Sequence, residues 1–222
     1  MPRRRRRRRE TIVYVDGFNV YYGAVKDTPY KWLDYEALCR QLLPHDNIVK
    51  IRYFTARVKE LPDRPGARQR QNIYLRALES LPLVQIHYGR FTLHKKMMRL
   101  ASPPAQGNPR VEVLKPEEKG SDVNLATYLL LDAFEKRCTT AVVISNDADL
   151  AEAIRIAQTR LGIKVGVVNP HPRSRRSREL FGLGCLFYRQ VTEQSLAQSQ
   201  LPPVLYDSEG QLHKPPGWGG SP

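Results

Sequence analysis

The chain has 222 residues, 41% of them apolar, a mean hydropathy of −0.50 and a formal net charge of +14. That length fits one domain with tails and a sizeable core, and no apolar run approaches the length of a membrane span. Seven of the positive charges are Arg3 to Arg9 and the remainder still carries +7, so a polyanionic partner, nucleic acid above all, is expected.

Residues 1–10 read as a disordered Arg-rich tail, because like charges repel and nothing in it can be buried. It lacks the apolar stretch of a signal peptide. Thr11 to Asp16 is a short β-branched run that reads as a buried strand, with a short helix from Phe18. Asp34 caps a helix over 35–43, which Pro44 closes. Residues 48–56 read as a second strand and 66–80 as a helix, with Ile73, Leu75, Leu78 and Leu81 near helical spacing; 83–91 reads as a third strand. Residues 93–110 carry Lys95, Lys96, Arg99, prolines and a glycine, and read as a basic loop or lid. A short strand at 111–115 follows.

Gly120-Ser121-Asp122 opens a helix to about 136. Residues 140–145 are a fourth strand. A helix over 148–161 ends at Gly162, a natural C′ residue, and 163–168 is a fifth strand. A basic segment, His171 to Arg178, precedes a last short strand at 185–188. The folded domain is therefore expected over 11–190, with 191–222 a largely disordered tail, rich in Pro and Gly from about 199. Strands alternating with helices indicate an α/β sandwich around a mostly parallel sheet. Cys39, Cys138 and Cys185 lie far apart and form no CxxC, which suits small core residues in a reducing cytoplasm.

Four acids carry the chemical signal. Asp16 ends the first strand; Asp147 and Asp149 follow the fourth; Asp122 sits at a helix start. In open parallel sheets ligands bind beyond the carboxyl ends of the strands. If the first and fourth strands are neighbours, these carboxylates meet at one sheet edge, as hard oxygen ligands for Mg²⁺ or Mn²⁺. Each acid alone has an ordinary use in a turn, a cap or a helix first turn. Capping needs one carboxylate, however, and not two separated by one residue with a third at the end of another strand. The histidines are scattered and form no zinc set, no GxGxxG or Walker loop occurs, and Ser121 and Ser145 lack a nucleophile elbow.

Val15-Asp16-Gly17-Phe18-Asn19-Val20-Tyr21-Tyr22 resembles the opening motif of the NYN domain (LabA-like, DUF88) family of PIN-like nucleases. Glu118-Lys119-Gly120-Ser121-Asp122-Val123-Asn124-Leu125-Ala126 is similar to that family's central motif, and Ser145-Asn146-Asp147-Ala148-Asp149-Leu150 to its third. The match runs from about Thr11 to Asn169 in the right order. The resemblance implies a three-layer α/β/α PIN-like fold with strand order 3-2-1-4-5. It also implies a ribonuclease dependent on Mg²⁺ or Mn²⁺ that acts on single-stranded RNA and can pair as a homodimer. Asp16, Asp122 and Asp147 would be the catalytic metal ligands, with Asp149 a fourth or outer acid. Asn19, Lys119, Ser145 and Asn146 would bind substrate.

One position departs from the family pattern. Many members carry a further Asp six residues after the central one, where this chain has Tyr128. Asp132 is either a partial substitute or a solvent-facing helix acid. Arg90, Lys95, Lys96 and Arg99 would form one wall of an RNA groove, and Arg173, Arg175, Arg176 and Arg178 another, as backbone contacts without sequence readout. Tyr21, Tyr22 and Tyr30 suit either base stacking or packing. Two functions remain open: a metal-dependent ribonuclease, or a non-catalytic RNA-binding or regulatory adaptor on the same fold. DNA cleavage or phosphatase action at the same acids is a lesser alternative.

Overall fold

The computed structural model describes residues 10–218; apart from Glu10, the expected Arg tail lies outside the described residues. β1 (Glu10–Asp16) leads into α1 (Gly17–Val20), which widens into a π-type turn over Tyr21–Val25. α2 (Tyr35–Leu42), β2 (Asn47–Thr55), α3 (Ala67–Glu79) and β3 (Val84–Tyr88) follow. Next come β4 (Arg90–Arg99), β5 (Arg110–Lys119), α4 (Ser121–Phe134), β6 (Thr140–Ile144), α5 (Ala151–Thr159) and β7 (Lys164–Asn169). The chain ends in α6 (Arg178–Phe181), β8 (Tyr188–Gln190), α7 (Glu193–Ala197), β9 (Val204–Asp207) and β10 (Gly210–His213).

Six strands form one parallel sheet in the order β3-β2-β1-β6-β7-β8. Its first five strands have the expected 3-2-1-4-5 order, and β8 extends the edge. Alternation along the strands divides the core in two. Val13, Val15, Val142 and Ile144 point to one face, packed with Trp32, Leu38, Tyr74 and Leu78 from the side of α2 and α3. Ile12, Tyr14, Val143 and Val167 point to the other, packed with Leu125, Leu129 and Ile154 of α4 and α5. Each fully buried aliphatic side chain contributes about 1.5–3 kcal/mol. This is the three-layer α/β/α sandwich.

Three expectations change. The basic loop expected at 93–110 is mostly a β-hairpin: β4 and β5 pair antiparallel in unbroken register from Arg90↔Lys119 to Arg99↔Arg110, as a separate two-stranded sheet. Backbone pairing satisfies its polar groups whatever the side chains, so its lysines and arginines concealed it. The hairpin leaves the sheet at Gly89, where an added Cβ would lie 2.7 Å from the Lys119 carbonyl and 3.0 Å from the Ser121 nitrogen. Glycine therefore lets the end of β3 approach the start of α4 closely.

Much of the segment after 190, expected to be disordered, is folded. The Thr192 hydroxyl caps α7, β9 and β10 pair, and Leu196, Leu201 and Leu212 are buried in the first core. The Trp32 indole N–H donates to the Pro202 carbonyl at 2.7 Å, and Arg76 grips Asp207 through two 2.8 Å bonds. These partners are distant in sequence, so a local composition rule does not register them.

Asp132 is neither solvent-facing nor part of the acid cluster. It is fully buried and accepts two bonds from Arg52, at 2.7 and 2.8 Å, and one from the Tyr14 hydroxyl at 2.8 Å. Burial alone would raise its pKa; the Arg52 and Tyr14 bonds outweigh that and hold it below the ordinary value. Tyr128 covers this pair, its ring 4.6 Å from the Arg52 guanidinium and 4.1 Å from the His87 ring. Burial and the Arg52 charge push His87 down to about 4. Position 128 thus belongs to the packing around a buried ion pair.

Candidate metal centre

β1 and β6 are adjacent, with Val15 opposite Ile144, so the residues that follow each strand emerge side by side. Asp16 is 4% exposed. Its Oδ1 accepts the Asn19 N–H at 3.0 Å, which caps α1. Its Oδ2 accepts the Ser145 hydroxyl at 3.0 Å. The same Ser145 oxygen accepts the Asp147 N–H at 3.1 Å, so one hydroxyl sets two acids. Asp147 Oδ1 accepts the Asp149 N–H at 3.0 Å.

Asp122 arrives from a third element. Gly120 takes a left-handed conformation, φ 92°, at the start of α4, and Glu118 accepts from both the backbone N–H and the hydroxyl of Ser121, at 3.0 and 2.6 Å. The helix therefore begins with Asp122 in its first turn. One carboxylate oxygen from each of Asp16, Asp122 and Asp147 can be chosen so that all lie within 4.8 Å of one another.

This proximity is electrostatically costly without a cation. Burial, then the charges of Asp122 and Asp147, raise the Asp16 pKa to about 7, against the opposing pull of the Asn19 and Ser145 bonds. Burial and the charges of Asp147, Glu118 and Asp149 raise Asp122 to about 6. Three converging carboxylate oxygens, with Asp16 and Asp122 held above their ordinary pKa, fit a hard divalent ion, whose charge offsets both the burial cost and the repulsion.

Asp149 is exposed and stands outside that triad. Asn19 joins two motifs: its side-chain oxygen accepts the Asn146 N–H at 2.9 Å. The Asn146 side chain is engaged by the protein, donating to the Arg175 carbonyl at 2.8 Å and accepting the Ser177 N–H at 2.7 Å. Ser145 is fully buried. Of the four residues expected to bind substrate, Ser145 bonds to the acids and Asn146 to the basic segment. Lys119 is exposed, its ammonium 3.6 Å from Glu117.

The flanking cations lie on two segments. Arg90, Lys95, Lys96 and Arg99 are exposed on β4, and Arg173, Arg175, Arg176 and Arg178 are exposed on the segment that Asn146 anchors. Tyr21 packs against the first core, whereas Tyr22 is exposed. Glu118 is the contributor that sequence reading passed over; it lies inside the central motif, but its bond to Ser121 has no local signature.

The NYN domain model matches residues 10–181, a span that contains all three motifs. The chain belongs to the NYN domain family, within the PIN-like nuclease superfamily. Among curated proteins, one relative of this chain is the 6-hydroxy-3-succinoylpyridine 3-monooxygenase HspA of Pseudomonas putida. It is 31% identical over 239 aligned residues, covering 96% of this chain and 76% of HspA. Among solved structures, a protein of unknown function from Vibrio parahaemolyticus matches with a TM-score of 0.53 at 15% identity. That match covers 87% of this chain and 97% of the other, and it supports the fold alone.

Proposed function

We propose that this NYN protein is a ribonuclease dependent on Mg²⁺ or Mn²⁺ that hydrolyses phosphodiester bonds of single-stranded RNA in the cytoplasm. The observation that carries the reading is the convergence of Asp16, Asp122 and Asp147 oxygens within 4.8 Å, from three elements of a PIN-like fold. These three would hold the ion, with Asp149 beside them. When bound, the ion lowers the pKa of a water molecule and offsets charge that develops on the phosphate. Ser145 and Asn19 fix the Asp16 carboxylate through both oxygens, and Ser145 also fixes the backbone at Asp147. Lys119, three residues before Asp122, supplies positive charge for the phosphodiester. The exposed cations of β4 and of residues 173–178 hold the flanking backbone by charge alone. The unbridged state of Cys39, Cys138 and Cys185 supports a reducing compartment.

The test is cleavage of a labelled single-stranded RNA with Mn²⁺, Mg²⁺ or EDTA, for the wild type, Asp16→Asn and Asp147→Asn. Metal-dependent cutting lost in both variants is expected. RNA binding without cutting, equal in all three proteins, would instead establish the adaptor. The packed Tyr128, in place of a further acid, favours that outcome.

The name of HspA motivates a second reading, oxidation of a heteroaromatic acid at the same fold. Consumption of 6-hydroxy-3-succinoylpyridine by the purified chain, supplied with dioxygen and a reduced nicotinamide donor, would replace the nuclease reading if RNA cleavage is absent.

A further inference from the structure

A cavity of about 540 Å³ lies beside the acid cluster, enclosed by α1, the end of β2, the segment before α3, α3 itself and the foot of the β4–β5 hairpin. Gly17 and Phe18, which line it, directly follow Asp16 in the chain. The volume lies within the range of pockets that enclose a small organic ligand.

Its walls are aromatic. Phe18 stacks with Phe91 of the hairpin at 6.4 Å between centroids, and Tyr74 meets Trp218 edge-on at 5.6 Å; Tyr21, Tyr22, Tyr35 and Tyr53 also line it. Tyr53 and Tyr74 are buried phenols, and the Tyr74 hydroxyl donates to the Leu33 carbonyl at 2.8 Å. Such walls accept a flat ring by stacking or edge contact.

The charged lining is one-sided. Lys26, Lys31, Lys59, Arg64 and Arg70 face the cavity against one acid, Asp27. Burial raises the Tyr21 pKa and the positive fields of Arg64 and Arg70 oppose that rise, so both guanidiniums act on the same wall as this ring. Arg64 is itself exposed, with its nearest acid Asp63 at 3.5 Å, and Arg70 donates to the Pro65 carbonyl at 3.1 Å. Each guanidinium has five N–H donors, and these contacts engage a minority of them.

We propose that this cavity is a binding site for a planar aromatic ring that carries an anionic group. Two sources offer that chemistry: an unstacked nucleotide of an RNA chain, or a free aromatic carboxylate. The site is separate from the three acids and does not depend on their cutting RNA.

The full chain, kept in EDTA so that no divalent ion bridges phosphate to the acids, is titrated with adenosine and uridine 5′-monophosphates, benzoate, benzyl alcohol and inorganic phosphate. Tryptophan fluorescence reports binding, since Trp218 lines the cavity and Trp32 is the other of the two tryptophans. Saturable binding is expected for ring-plus-anion ligands, with benzyl alcohol and phosphate weaker by about tenfold, equivalent to about 1.4 kcal/mol. The Arg64→Ala/Arg70→Ala double variant, folded by circular dichroism, is expected to lose a similar factor, and Phe91→Ala also weakens binding. Tighter binding of a monophosphate identifies the RNA source; tighter binding of benzoate identifies the free acid. The proposal is overturned if no ligand saturates below about 10 mM, if phosphate alone binds as well, or if the arginine variant binds unchanged. RNA cleavage is scored separately, so failure here leaves the ribonuclease reading standing.

Discussion

The side-chain oxygen of Asn19 accepts the backbone N–H of Asn146 at 2.9 Å, across 127 positions of sequence. The backbone N–H of Asn19 also donates to Oδ1 of Asp16, the cap of α1, so one residue locks the end of β1 to the end of β6. Asn19→Ala leaves a part-buried N–H without its partner, and about 1–2 kcal/mol of stability should be lost. Residues that orient metal ligands typically affect affinity or activity by about 10–100-fold, so a loss of that order in Mn²⁺ affinity or cleavage is expected. Thermal unfolding and calorimetric Mn²⁺ titration check the two effects separately. A variant with unchanged Mn²⁺ affinity would show that the bond is dispensable for the site.

The raised pKa values of Asp16, about 7, and Asp122, about 6, fix the sign of a pH effect. Both carboxyls hold their protons more tightly folded than unfolded. Their cost to the metal-free protein is absent below about pH 4, grows as pH rises between about 4 and 7, and is complete above that. In EDTA, Asp16→Asn should be more stable than the wild type at pH 8, by on the order of 2–4 kcal/mol, with the difference vanishing near pH 4. Saturating Mn²⁺ should reverse the order, because the wild type alone keeps all three acids. Urea unfolding at pH 4, 6 and 8 measures this; equal stabilities at pH 8 in EDTA would contradict it.

Arg52 and Asp132 are buried to 2% and 0% exposure and bonded at 2.7 Å. Asp132→Ala strands a buried guanidinium and should cost about 3–5 kcal/mol. Replacing both partners, as Arg52→Met with Asp132→Leu, should cost much less, since no lone charge then remains. The comparison of melting temperatures is decisive: a double variant as unstable as the single one would show that packing, not charge, sets the cost.

Alanine at Arg90, Lys95, Lys96 and Arg99 removes four exposed cations of the hairpin. If they neutralise RNA phosphates, the slope of log affinity against log salt should flatten by up to about 3 units for a single strand. Fluorescence anisotropy across a salt series reads this directly. An unchanged slope would assign RNA contact elsewhere, with residues 173–178 next in line.

Amino-acid sequence alone determined much of this protein. β-Branched runs specified β1, which ends in Asp16, and β6, which Asp147 follows after two residues, and the three acids could be chosen from their positions at or after a strand end or at a helix start. These signals are local, carried by patterns a few residues long. Tertiary structure decided what depends on partners far apart in the chain. It turned residues 90–119 into a hairpin and folded residues 193–213 onto Trp32 and Arg76. It buried Asp132 against Arg52, and it joined Ser145 to Asp16 and Asn146 to Arg175 and Ser177. In each case the deciding interaction joins groups separated by tens of residues or more, and composition within a short window carries no record of it.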